Sequence, residues 1–199
     1  MTNAFGDDPE GATPLDDEQM DGLRPSWVAT RADLNVAEEQ NIAAATEWAL
    51  LRKWTPAQLL TESALLGLHR RMFAEVWTWA GTWRRADTNI GADWHFIRVQ
   101  LRQLVDDTGV WVEYGSYPYD EIAVRFHHKL VAIHPFPNGD GRHARLAADI
   151  LAVSLNQPPF SWGADTLVSN NTARTDYLAA LRLADAQYSY GDLLKFARS

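Results

Sequence analysis

Apolar residues recur at helical spacing through most of this chain. Between Ala37 and Leu51, the side chains of Ile42, Ala45, Trp48 and Leu51 share one helical face. Thr55-Pro56 has the form of an N-cap followed by proline at the first helical position, and the short helix it opens is predicted to end before Thr61. Glu62 to Val76 carries a core stripe of Leu65, Leu66, Leu68, Met72 and Phe73. The period then breaks. Trp77 to Trp94 is rich in Trp, Gly, Thr and Asn, and Asn89 to Val99 predicts a short hairpin turning at Gly91-Ala92-Asp93. Helical patterns resume over Leu101–Trp111, Tyr119–Ile133, Arg142–Leu155, Asn171–Ala184 and Tyr190–Ala197, and Pro158-Pro159 punctuates the later part. In the Tyr119–Ile133 run, Ile122, Phe126, Leu130 and Ile133 form the buried stripe. The pattern predicts one all-α domain with a small β element near residue 90, and it contains no internal repeat.

Composition narrows the function classes. The chain has 199 residues, enough for one domain with a substantial core. Its net charge of −8 and pI of about 5.1 make it a poor general binder of nucleic-acid phosphates, so no direct nucleic-acid binding is expected. Arg70, Arg71, Arg84 and Arg85 can still form a local basic patch. Cysteine is absent, which excludes disulfides and thiolate chemistry. No apolar run approaches the ~20 residues of a membrane helix, and the first residues lack the pattern of a signal peptide. The expectation is a cytoplasmic protein without membrane attachment. Residues 1–24 read as an acidic leader, either a flexible tail or a lid over a basic site, and residues 25–199 as the folded domain.

The candidate chemistry lies between His134 and Arg145, in the order His-Pro-Phe-Pro-Asn-Gly-Asp-Gly-Arg-His-Ala-Arg. Pro135 ends the preceding helix and leaves the His134 imidazole at its junction with a loop. Asn138-Gly139-Asp140-Gly141 permits a tight turn whose successive N–H groups can make an anion nest, at the positive end of the next helix. Arg142 and Arg145 stand at i and i+3 and present two guanidinium groups on one face, suited to phosphate oxygens. A neutral His134 beside that nest can accept the proton of an attacking hydroxyl. Asp140 or Asn138 can offer oxygen to Mg²⁺. Phe136 reads as a core anchor beneath the loop. Any one of these residues alone would more often be structural; their order and spacing favour a site for a polyphosphate next to a base.

The segment resembles the signature of the Fic family, His-Pro-Phe, any residue, Asp or Glu, Gly-Asn-Gly-Arg, two residues, Arg. Leu68 to Arg84 is similar to the family's upstream helix and Trp-Ala-Gly turn, Glu121–Ile133 to the helix entering the active loop, and Tyr177–Leu181 to a late helix. The resemblance runs from about Pro25 to the C-terminus, and the mobile mystery protein B group is the nearest subgroup. It implies a helical domain with a β-hairpin flap, and transfer of AMP from ATP to a Ser, Thr or Tyr hydroxyl of a target protein. His134 would be the general base and Arg142 a catalytic cation on the outer phosphates. Asn138, Gly139, Asp140, Gly141, Arg142 and Arg145 would line the nucleotide. Asn89, Ile90 and Gly91 would belong to a flap that docks the target by strand addition.

Two positions depart from the signature. Asn138 stands where the family has its Mg²⁺-binding acid, and Asp140 where it has a phosphate-contacting Asn. This exchange leaves the metal on either residue, and leaves two alternatives: a phosphoryl or other phosphate-group transferase with reversed nucleotide, and a catalytically weak nucleotide-binding module. Many members are restrained by Ser or Thr, three residues, then Glu, the glutamate pairing with the second motif arginine. Here Ala43 precedes Glu47 by four residues and Gln58 precedes Glu62, and no Glu has Ser or Thr at that place. The expectation is therefore restraint by a separate antitoxin-like partner or by the acidic leader. His127, His128 and His134 also invite a metal reading, without the Cys or His-x-Glu pattern that zinc sites show.

Overall fold

A computed structural model describes residues 13–163 and 172–199. The described residues form α1 (Asp17–Met20), α2 (Arg31–Leu51), α3 (Pro56–Leu59), α4 (Glu62–Phe73), a 3₁₀ turn (Trp94–Phe96), α5 (Ile97–Tyr114), α6 (Tyr119–Ile133), α7 (Asp140–Ser154), α8 (Thr172–Gln187) and α9 (Gly191–Arg198). The all-α architecture matches the pattern of the sequence. The first four helices start on side-chain caps. Thr30 and Asp33 close a capping box at α2, which begins before the apolar stripe does, and Thr55 with Gln58 does the same at α3. Gly115, in the left-handed region, ends α5.

The helix α6 packs along α7, α2 along α4, and α5 along α6. Ile122, Phe126, Leu130 and Ile133 are buried as the stripe predicts, as are Leu65, Leu68, Met72 and Phe73. Leu51 departs from its expected place: it closes α2 at 78% exposure, beyond the reach of the core. Arg84 does not belong to a surface patch, being only 4% exposed. No helix among the described residues is long and apolar enough to cross a membrane.

The segment expected to form a hairpin is a loop instead. The β-type pairing seen among the described residues is an isolated bridge between Leu23 and Trp77. Two local forces account for this. Asp93 caps a 3₁₀ turn at Trp94, which leads directly into α5, so residues 94–99 are helical. Arg84 then takes carbonyls that a ladder would use: Nη1 donates to Ala86 at 2.8 Å and Nη2 to Ala92.

The buried far side of α7 gives one stability prediction. Asp149 accepts hydrogen bonds from the Phe160 N–H at 3.0 Å and the Trp162 indole at 2.9 Å. Burial pushes its carboxyl up to about 7, although Arg145 and Arg198 act in the opposite sense. A carboxyl raised above its unfolded value contributes stability below pH ~4, which is lost as pH rises through about 7. Asn at this position keeps an oxygen acceptor and cannot titrate. In denaturation series from pH 4 to 7, wild type should lose stability relative to Asp149→Asn as pH rises, by at most about 1.4 kcal/mol per pH unit. A constant difference between the two proteins would refute the assignment.

Candidate active site

The sequence places a histidine where α6 must stop, and its backbone conformation is unusual. His134 has φ 52°, in the left-handed region that non-glycine residues seldom occupy. Several contacts hold it there. Its N–H donates to the Leu130 carbonyl at 3.2 Å, and its own carbonyl receives the Arg84 Nε at 2.6 Å. The Arg84 N–H donates to Pro135 at 3.1 Å, and the Ala92 N–H to Ile133 at 3.2 Å. Arg84 therefore clamps the end of α6 to the loop around Gly91. A Cβ on Gly91 (φ 111°) would lie 2.5 Å from the His134 Cβ. Gly91 thus lies directly against His134 and Arg84, with no ladder holding the segment.

Burial holds the imidazole down to about 4, with Arg84 acting in the same direction and a backbone hydrogen bond opposing it. The ring is therefore neutral near pH 7. Its Nδ1 lies 3.3 Å from the Val131 carbonyl, which can only accept, so the proton sits on Nδ1. That leaves the Nε2 lone pair pointing into the site. Two groups meet it: the Thr13 hydroxyl at 2.9 Å and Asp140 Oδ2 at 3.2 Å. The threonine hydroxyl can donate, so Nε2 is already an acceptor for a hydroxyl proton.

The loop after His134 rests on aromatic rings. Phe136 is fully buried and stacks on His69 with centroids 3.7 Å apart, as expected of an anchor. The His69 Nδ1 accepts from the Gly81 N–H at 2.9 Å, so its Nε2 carries the proton and donates to the Asn138 carbonyl at 3.0 Å. His69 and the Trp-Ala-Gly turn together fix the height of the loop. Gly139 caps α7 at φ 85°, and a Cβ there would lie 2.5 Å from the buried Phe73 ring. At Gly141 a Cβ meets nothing within 4 Å, so the first turn of α7 is open on that side. Gly139→Ala should therefore lose at least about 1 kcal/mol of stability. Gly141→Ala should lose none. Denaturant titration of both variants checks this, and equal losses would contradict it.

Asp140 is buried, and burial raises its carboxyl well above the ordinary carboxylate range. Its Oδ1 accepts from the Phe136 N–H at 3.0 Å, whereas buried Oδ2 makes no well-aligned hydrogen bond and has the His134 Nε2 as its polar neighbour. The Asn138 amide nitrogen donates to the Thr13 carbonyl at 2.9 Å. The guanidinium of Arg145 is largely buried, stands 5.7 Å over the Tyr177 ring, and lies close enough to Arg142 for their charges to repel.

Arg142 holds an acid that the sequence pattern does not reveal. Its Nη1 donates to Glu38 Oε2 at 2.6 Å, and Glu38 Oε1 accepts from the Trp77 indole at 2.7 Å. The usual Ser/Thr-bearing pattern is absent, as expected, yet an acid from α2 still sits on a motif arginine. Leu34, a buried core residue, stands four places before Glu38 where the Ser/Thr pattern looks for a hydroxyl, and the acid meets the first arginine of the motif. The metal reading of the histidines also fails: His127 bonds Tyr177 at 3.1 Å, His128 bonds Asp185 at 2.8 Å, and no group of three metal-binding side chains exists among the described residues.

A model of the Fic/DOC family matches residues 59–152. The chain is 29% identical over 143 residues to the protein adenylyltransferase fic-1 of Caenorhabditis elegans, covering 67% of this chain and 25% of that protein. It is 31% identical over 144 residues to the protein adenylyltransferase Fic of Drosophila willistoni, covering 70% and 26%. The chain thus spans about a quarter of the length of these relatives. Its fold is similar to that of BepC, a VirB-translocated effector of Bartonella tribocorum solved with bound AMPPNP, at a TM-score of 0.69 with 15% identity, over 92% of this chain and 93% of that one.

Proposed function

Because the chain belongs to the Fic/DOC family, we propose that it transfers AMP from ATP to a Ser, Thr or Tyr hydroxyl of a target protein. The observation that carries this reading is the hydroxyl already seated on His134 Nε2, next to the open first turn of α7. In the reaction, His134 Nε2 accepts the proton of the target hydroxyl, and the oxygen attacks the α-phosphorus. The new P–O bond forms as the bond to the β-phosphate bridging oxygen breaks, and pyrophosphate leaves. The N–H groups of Gly141 and Arg142, unpaired within a helix at its start, would face the phosphates and stabilise developing negative charge together with Arg142 and Arg145. The segment Asn89, Ile90 and Gly91, with Gly91 against His134, would position the target chain.

The donor set suits Mg²⁺. Asp140 Oδ2 is a buried oxygen that makes no well-aligned hydrogen bond, with His134 Nε2 3.2 Å away, and Asn138, its nitrogen engaged by Thr13, has an oxygen to offer. A cation bound there would supply charge neutralisation for the phosphates, in place of the proton that burial now favours on Asp140.

Incubation of the protein in a lysate with ATP labelled at either the α or the γ position tests the reading, with and without Mg²⁺. Label should reach protein only from the α position. Transfer only from the γ position would replace the reading with phosphoryl transfer. ATP binding without any transfer would leave a nucleotide-binding module.

A further inference from the structure

Arg84 joins the base to the loop beside it. Its side chain is buried, and its donors go to backbone carbonyls on two parts of the chain. Toward the end of α6, Nε donates to the His134 carbonyl at 2.6 Å, and Nη2 lies 3.4 Å from the Ile133 carbonyl. Toward the loop, Nη1 donates to the Ala86 carbonyl at 2.8 Å and Nη2 to that of Ala92. The two ends of the 86–92 loop are thus gathered on the same guanidinium that holds the backbone of residue 134. The exposed Asn89, Ile90 and Gly91 lie between those ends.

A buried cation is costly unless its hydrogens are satisfied. The Asp87 carboxylate stands 3.7 Å from Nη1 on a side chain that is mostly exposed, so carbonyl oxygens supply much of the compensation. Arginine suits this task because its planar fork of five N–H donors addresses several fixed oxygens at once. A lysine ammonium directs its hydrogens from one atom and cannot span them. What the fork fixes is position. His134 stands in the left-handed region at φ 52°, and release of its carbonyl would let it return to a commoner conformation and swing the imidazole. Gly91 leaves the room for this junction: a Cβ there would lie 2.5 Å from the His134 Cβ and 3.0 Å from Arg84 Nη2.

We propose that Arg84 is a positioning residue of the transfer: it couples the placement of the 86–92 loop to that of the His134 imidazole, so that a target chain seated on the loop also sets the base. This rests on the transferase reading above. The guanidinium acts through the His134 backbone and not on the reacting atoms. A displacement of the loop moves the Ala86 and Ala92 carbonyls, and the rigid fork passes it to the His134 carbonyl on its other edge.

Arg84→Lys and Gly91→Ala disturb the junction from its two sides, and both are made in the full chain. Three measurements are taken on each: α-label transfer to lysate proteins at saturating ATP, calorimetric ATP titration, and nitrogen NMR of the imidazoles at neutral pH. The His134 signal, assigned by its loss in His134→Ala, reports the ring's tautomer without any need for activity. In both variants transfer should fall about 100-fold, the cost of displacing a reacting group by about 1 Å. The ATP dissociation constant should stay unchanged, and the single Nδ1–H tautomer of His134 should give way to a mixture. Wild-type transfer by Arg84→Lys would overturn the proposal. A fall in transfer with an unchanged His134 spectrum would do so too, because the residue would then act elsewhere. A loss of ATP affinity as large as the loss of transfer would make Arg84 a structural residue only. If circular dichroism shows that Arg84→Lys does not fold, the same readouts on Gly91→Ala, which keeps the guanidinium, decide the matter. If wild type labels no protein, the transferase reading falls, while the ring spectra still support or overturn the placement of His134 by Arg84.

Discussion

His134→Ala should lower the rate of adenylyl transfer by about 100- to 10,000-fold, the range a positioned general base supplies. The expectation follows from the state of the ring. Neutral near pH 7, with its proton directed to the Val131 carbonyl, it leaves Nε2 as the site's proton acceptor. The parts proposed to face phosphate lie elsewhere, on the first turn of α7 and its two arginines, so ATP binding should survive the substitution. The loss should therefore fall on kcat and not on the ATP dissociation constant. Labelling rates at saturating ATP, with calorimetric ATP titration alongside, separate the two. A variant retaining more than about a tenth of wild-type kcat would sink the assignment, since even a weak general base supplies more than that.

The Thr13 and Arg84 contacts bear on how this variant is read. Removing the imidazole takes away the partner of the Thr13 hydroxyl, and the clamp of Arg84 on the residue 134 carbonyl remains because it uses backbone oxygen. Folding should be little disturbed, as the left-handed turn at residue 134 is held by main-chain contacts on both sides. Circular dichroism of the variant checks that the helical content is kept.

Much of this arrangement was legible from local pattern. The helix Tyr119–Ile133 runs between the boundaries its stripe predicts, because Pro118 and Pro135 punctuate it and apolar residues recur at one spacing between them. The motif's order likewise fixed the imidazole, the turn and two arginines, since all four lie within adjoining elements. What the pattern could not hold were pairings between distant positions. Glu38 meets Arg142, and Thr13 meets His134, across more than a hundred residues. No periodicity encodes such contacts. The search for an acid was tied to a hydroxyl four places earlier, a feature of α2 that bears no direct relation to where its carboxylate points. The hairpin was misread for a related reason: Gly91 is suited to a turn, but the buried Arg84 decides what its neighbours bond to. An arginine in a polar stretch looks like surface until its carbonyl partners are known. Residues 1–12 of the leader, and the start of the helix expected from Asn171, lie outside the described residues.

Glu38 carries the second large expectation. Its carboxylate occupies Arg142, the cation proposed to hold phosphate, so on that reading an incoming nucleotide would displace one anion with another. The same carboxylate also accepts from the fully buried Trp77 indole, and the two roles can be separated by choice of substitution. Glu38→Gln removes the charge yet keeps an oxygen in place for Trp77. Glu38→Ala removes both and leaves a buried N–H without an acceptor, at a cost of about 1–3 kcal/mol. Both should bind ATP more tightly than wild type, by about tenfold for each 1.4 kcal/mol of competition relieved. Only Glu38→Ala should lose substantial stability, because the Arg142 left behind is 33% exposed and can be solvated in either variant. Calorimetric ATP titration and denaturant unfolding of the pair measure the two effects independently. If Glu38→Gln binds ATP no more tightly than wild type, the acid is a structural partner of Trp77 and does not compete for the phosphate site. If it binds more tightly at nearly unchanged stability, the cation at Arg142 is the point where the chain's own carboxylate and the nucleotide exclude each other.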